Sequence, residues 1–111
     1  MEYVKIGETE YPATISGRMQ DSEWGSRPSK TIKLSMSYAD AEAIFRDGLE
    51  WSIISEYEDE QGQPVRDEFD NSDYSLAGNI IDYRDGTIAV KMGKSLEVDN
   101  EILNILLGEE A

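Results

Sequence analysis

The run Lys30-Thr31-Ile32-Lys33-Leu34-Ser35-Met36 alternates polar and apolar without a break, so Ile32, Leu34 and Met36 share one side of an extended chain. A period of two does not fit a helix, and it commits the middle of the chain to a strand with one buried face. Such a strand needs neighbours, and the rest of the sequence supplies candidates. Tyr3-Val4-Lys5-Ile6 and Tyr11-Pro12-Ala13-Thr14-Ile15 flank Gly7-Glu8-Thr9-Glu10 and read as an opening hairpin. Pro12, which has no N–H to donate, puts its strand at an edge or at its own first residues.

From Gly17 to Ser29 the residues turn to Gly, Ser, Asp, Arg and Pro around Trp24, which reads as a loop of about a dozen residues. A helix is expected next. Ser37 with Asp40 resembles a capping box, Ala39 to Phe45 favours helix, Gly48 is placed to end it, and Ala41, Ile44 and Phe45 would form its buried stripe. Glu50 to Tyr57 reads as a strand, with Trp51 and Ile53 on its core side, and Val65 to Phe69 returns antiparallel across Asp59-Glu60-Gln61-Gly62-Gln63-Pro64. Tyr74 to Tyr83 and Thr87 to Met92 flank Arg84-Asp85-Gly86, a strong hairpin signal. Ser95 can cap a last helix carrying Leu96, Val98, Ile102, Ile105 and Leu106, closed by Gly108.

The expected architecture is therefore α+β: a mostly antiparallel sheet, or a small partly open barrel, of six or seven strands with two helices closing one face. At 111 residues, without repeats or an interdomain linker, residues 1–111 read as a single domain. Cysteine and histidine are both absent. That removes thiolate and imidazole chemistry, disulfides and the usual zinc sets, and it is compatible with a reducing cytoplasm. The N-terminus MEYVKIGETE has no apolar h-region, and no run approaches a membrane span, so neither export nor a membrane partner is expected.

Charge is unevenly distributed. Residues 1–49 hold eight acids against six bases, whereas residues 50–111 hold sixteen against four. Glu56 to Asp73 alone sets eight carboxylates against Arg66, a net −7 of the chain's −14. A field of that sign attracts basic partners and repels phosphate and anionic lipid, so direct binding to nucleic acid or membrane is not expected.

The remaining chemical motifs fail on spacing. Gly93-Lys94-Ser95 lacks the phosphate-loop glycine, because Ile88 stands five residues before Gly93, and it reads as a turn with an N-cap. Asp67, Glu68, Asp70 and Asp73 could together hold a hard cation, but the twelve-residue calcium loop is absent and a solvated charged face is the simpler reading. A strand-borne nuclease lysine wants an acid two residues earlier, where Lys91 has Ala89. A glycosidase pair cannot be picked out of so many carboxylates. No nucleophile, base and oxyanion site assemble, so an enzyme is not expected, nor any cofactor or metal.

Two readings of the acidic segment remain. A charged hairpin tip kept soluble is one. The other is a mimic of nucleic acid charge, because alternate strand residues about 7 Å apart approximate the phosphate spacing of one DNA strand. That surface would consist of Glu56, Glu58, Asp59, Glu60, Asp67, Glu68, Asp70 and Asp73, with Trp24 or Tyr57 as an aromatic anchor. Trp24, Tyr57 and Tyr74 could equally cover the ends of a small core.

Tyr11-Pro12-Ala13, Ile15-Ser16-Gly17-Arg18-Met19, Asp21 with Trp24, Tyr38-Ala39, Gly48 with Trp51-Ser52-Ile53, Asp70-Asn71-Ser72-Asp73-Tyr74, and Asp85-Gly86-Thr87 leading to Val90-Lys91-Met92-Gly93-Lys94 carry a resemblance. Over most of its length the chain resembles a family of short acidic proteins encoded in prophages of Gram-positive bacteria. The resemblance brings no catalytic residues. It implies a viral context and the cytoplasm of the bacterial host, where small acidic proteins act as inhibitors of the anti-CRISPR or anti-restriction type. The expected partner is then a basic nucleic-acid-binding host protein such as an RNA-guided nuclease, and the alternative role is a phage tail or head accessory component.

Overall fold

The computed structural model describes residues 1–94. Seven strands, β1 (Glu2–Ile6), β2 (Thr9–Asp21), β3 (Arg27–Ser35), β4 (Ser52–Glu58), β5 (Pro64–Asp70), β6 (Leu76–Asp82) and β7 (Thr87–Gly93), form one sheet in the order β5-β4-β1-β2-β3-β7-β6. Every pairing is antiparallel. The sheet is open, with β5 and β6 as its edges, which decides between the two architectures expected. One helix, α1 (Tyr38–Ile44), is present among the described residues, and the second, expected from Ser95 to Leu106, lies outside them.

β2 joins the two halves of the sheet. Its first residues, Thr9 to Pro12, pair with β1, and from Ala13 onward it pairs with β3. Contrary to the expectation from Pro12, β2 is an interior strand and Pro12 is its fourth residue; it falls at the changeover, where a residue without an N–H costs the ladder least. The sequence Gly17 to Ser29, expected as a loop, is instead mostly paired: β2 runs to Asp21, a single 3-10 turn covers Ser22–Trp24, and β3 begins at Arg27. These residues escape period-two detection because Gly17 to Gln20, Met19 included, are all exposed, so no alternation of buried and exposed positions marks them.

The alternating run behaves as expected. Ile32 and Leu34 are buried, and with Val4, Ile53, Ile88, Val90 and Met92 they line one face of the sheet. Ala41 and Phe45 of the α1 segment and Trp51 complete that core. Ser37 caps α1, its hydroxyl accepting from the Asp40 amide at 3.1 Å. The helix stops at Ile44, before Gly48, and Phe45 then turns into the core as its C-cap. Trp51 donates its indole N–H to the Tyr74 carbonyl at 2.9 Å, pinning the segment before β4 to the segment before β6. Among the described residues no helix is long and apolar enough to cross a membrane.

The face opposite the core carries its own plug. Asp21 is fully buried and accepts from Lys91 at 2.6 Å and from the Ser29 hydroxyl at 2.9 Å. Trp24 lies over β6 and β7, where its ring occupies the space that a side chain at Gly93 or Gly78 would need: a Cβ on Gly93 would stand 2.7 Å from it. The Arg27 guanidinium sits 5.6 Å from the Trp24 ring centre.

Candidate interaction surface

β4 and β5 form the expected hairpin, in the register Ser52↔Asp70 through Glu58↔Pro64. The tip is built by its own side chains: Asp59 Oδ1 accepts from the amides of Gln61 and Gln63, and Gly62 takes φ +74. Alternation then sorts the carboxylates onto two faces. Glu56, Glu58, Glu68 and Asp70 share one face with Arg66, Ile54 and, across β1, Tyr3 and Lys5. Tyr57, Val65, Asp67 and Phe69 share the other, which continues into the core at Ile53 and Val4.

The first face is an ion-pair array. Arg66 bonds Glu10 and lies 3.3 Å from Glu56, with its guanidinium 5.9 Å from the centre of the Tyr3 ring. Lys5 reaches Glu68 at 3.5 Å. The array stands over Ile54, which is only 1% exposed although it points away from the main core. The hydrogen bond to Glu56 pushes the Tyr3 phenol up from its ordinary value, with burial adding to it.

On the second face the Tyr57 hydroxyl donates to Asp67 at 2.9 Å, and this bond raises the Tyr57 pKa. Tyr57 is 50% exposed and Phe69 55%, so the hairpin presents aromatic surface between its acids. At the base of β5, Asp70 accepts from the Ser72 hydroxyl at 2.6 Å and its amide at 3.0 Å, which holds its carboxyl below the ordinary range. Asp73 lies 3.8 Å from Lys94. Glu58 and Glu60 have no side-chain partner among the described residues, and they extend at the hairpin's exposed end.

The eight carboxylates are thus brought onto one hairpin and its base, and Tyr57 is among them. Trp24 is not. It packs over β6 and β7, about five strand spacings of 4.8 Å from β5, so the fold does not bring it beside the hairpin. Tyr74 is structural: the Lys30 ammonium sits 4.5 Å from its ring centre and bonds Asn71, and burial lowers the Lys30 pKa. Sequence reasoning overlooked Phe69, whose place between Glu68 and Asp70 in an alternating strand was the available signal, and the role of Lys5 and Glu10. Those two come from another hairpin and could be placed only through the β1–β4 pairing.

Among the described residues, no group of three or more acids converges in the way that would hold a metal ion. Compared with family models, curated proteins and solved structures, the chain matches none.

Proposed function

We propose that the chain is a phage-encoded, non-enzymatic binding protein that acts in the cytoplasm of the bacterial host. Its β4–β5 hairpin occupies a basic nucleic-acid-binding site of a host defence protein, in the manner of an anti-CRISPR inhibitor. The observation that supports this best is the placement of eight carboxylates on an edge hairpin and its base, with Arg66 as the hairpin's own cation. An array at the rim of an open sheet can enter a groove lined with Arg and Lys, and its alternate residues repeat at about 7 Å along each strand. Internal pairing tempers the field without cancelling it: of the eight carboxylates, Glu56, Glu68 and Asp73 meet a Lys or Arg among the described residues.

The test is capture of host proteins by the tagged chain at low and high salt, with a DNA or RNA duplex as competitor. The reading predicts a nucleic-acid-binding protein that is held at low salt, released at high salt and displaced by the duplex. Retention that is indifferent to both contradicts it.

A second reading, a tail or head accessory component, is favoured by the other edge of the sheet. β6 carries only Asp82 as a charge, and Ile81 and the following Tyr83 are 53% and 46% exposed. Apolar edge surface of that kind suits salt-insensitive assembly with a second copy or a virion neighbour.

A further inference from the structure

The hairpin's free edge has a pattern that its charge alone does not explain. In an antiparallel ladder, residues alternate between those whose N–H and C=O face the partner strand and those whose groups face away. The Asn71 amide donates to the Trp51 carbonyl at 2.8 Å below the hairpin, and the Asp59 amide donates to Gln63 at 2.9 Å at its tip. With the register Ser52↔Asp70 to Glu58↔Pro64, this phase turns Val65, Asp67 and Phe69 toward β4 and turns the backbone groups of Arg66, Glu68 and Asp70 outward. Among the described residues no strand pairs with that side of β5. Pro64 stands in the same outward phase and has no N–H to leave unpaired, so the open ladder begins at Arg66.

The side chains beside this edge also alternate. Glu68 and Asp70 lie on one face with Arg66, which is engaged by Glu10 and Glu56, and Val65 and the 55%-exposed Phe69 lie on the other, on either side of Asp67, which accepts from the Tyr57 hydroxyl. A strand laid along β5 would therefore meet the Glu68 and Asp70 carboxylates on one of its faces, and Val65 and Phe69 with Asp67 between them on the other. A second copy of β5 would set its own Asp67, Glu68 and Asp70 against the same charges, which disfavours self-pairing.

We propose that the outer edge of β5 is a strand-addition site, which receives an extended segment of the partner in which basic and apolar residues alternate. This rests on the reading of the hairpin as the partner-binding surface, and it names what the partner offers: a β-strand with Lys or Arg facing Glu68 and Asp70, and aliphatic residues facing Phe69 and Val65. Backbone hydrogen bonds from Arg66, Glu68 and Asp70 provide the register, and the side chains provide the choice of sequence.

Two synthetic peptides of equal length and charge test it, one alternating Lys and Val and the other alternating Lys and Gly. Binding is followed by fluorescence anisotropy, and exchange of the Arg66, Glu68 and Asp70 amides by NMR. The Lys-Val peptide is expected to bind roughly tenfold tighter than the Lys-Gly peptide and to slow exchange at those three amides. Glu68→Pro, which removes an outward N–H and no bond to β4, is expected to erase the preference. Glu68→Gln keeps the N–H and is expected to weaken both peptides alike. Equal affinity for the two peptides, binding of neither, or unchanged exchange at the three amides overturns the proposal, and the exchange readout on the unaltered chain does not depend on any variant folding. Salt-sensitive, duplex-displaced capture of a host protein without the peptide preference would leave the inhibitor reading standing and remove strand addition. A clear preference without such capture would do the reverse.

Discussion

The two edges of this sheet have opposite characters. β5 sets Arg66, Asp67, Glu68 and Asp70 behind Pro64, whereas β6, of equal length, has Asp82 alone. Neither edge strand supplies a buried residue, and the strands behind them differ: β3 and β7, on the β6 side, supply Ile32, Leu34, Ile88, Val90 and Met92 to the core, whereas β4, beside β5, buries Ile53 and Ile54. Charge is concentrated where little apolar surface must leave water. A hairpin built in this way can devote the side chains of β5 and of its tip to a partner, because β4 alone ties it to the core through Ile53.

If that division is right, substitutions in the two halves should differ sharply in what they change. The largest loss is expected for Ile32→Ala, which removes fully buried methyl and methylene groups between β2 and β7 and should lower stability by about 2–5 kcal/mol in chemical denaturation. Asp21→Asn should come next, at about 1–3 kcal/mol, because the fully buried carboxylate loses the charge that strengthens its bonds from Lys91 and Ser29. The Lys91 side chain keeps 24% of its exposure, which limits the cost. Gly93→Ala pushes a methyl into the Trp24 ring and should cost about 1–3 kcal/mol. Adding Trp24→Ala to Gly93→Ala should remove the clash, so the double variant should be less destabilised than the sum of the two single changes.

Acid should produce the smallest effect, and it belongs to the base of the hairpin. Asp70 is held below its ordinary pKa by Ser72, so its contribution is present above the ordinary carboxylate range and is lost as the pH falls through the folded value. Following the unfolding midpoint from neutral to acid pH in the native chain and in Asp70→Asn isolates it. The difference between the two should be greatest at neutral pH and should vanish in acid.

Much of the fold was legible because its strands announce themselves. The alternation at Ile32, Leu34 and Met36, the Asp85-Gly86 turn and the Ser37 cap each reflect a local preference that tertiary packing had no reason to override. Gly17 to Gln20 were illegible for the converse reason: a strand segment exposed on both faces, its one large apolar residue Met19 included, has no period to read, and only the pairing of β2 with β3 at Gly17, Arg18 and Asp21 makes it a strand. The carboxylates could be assigned to one hairpin from sequence, since Gly62 and Pro64 mark its tip. Their sorting onto two faces follows from the same alternation, but the pairing of Arg66 with Glu10 and the separation of Trp24 from the hairpin depend on strand order, which local pattern does not encode.

The most direct test removes four of the hairpin's eight carboxylates without touching the core. In one variant Asp59 and Asp70 become Asn, and Glu60 and Glu68 become Gln, and it is compared with the native chain for stability and for capture of a basic, nucleic-acid-binding host protein at low salt. The account predicts stability within about 1 kcal/mol of the native chain, because these side chains are exposed and surface ion pairs contribute little, together with near-complete loss of capture. Full capture by the four-site variant would contradict it.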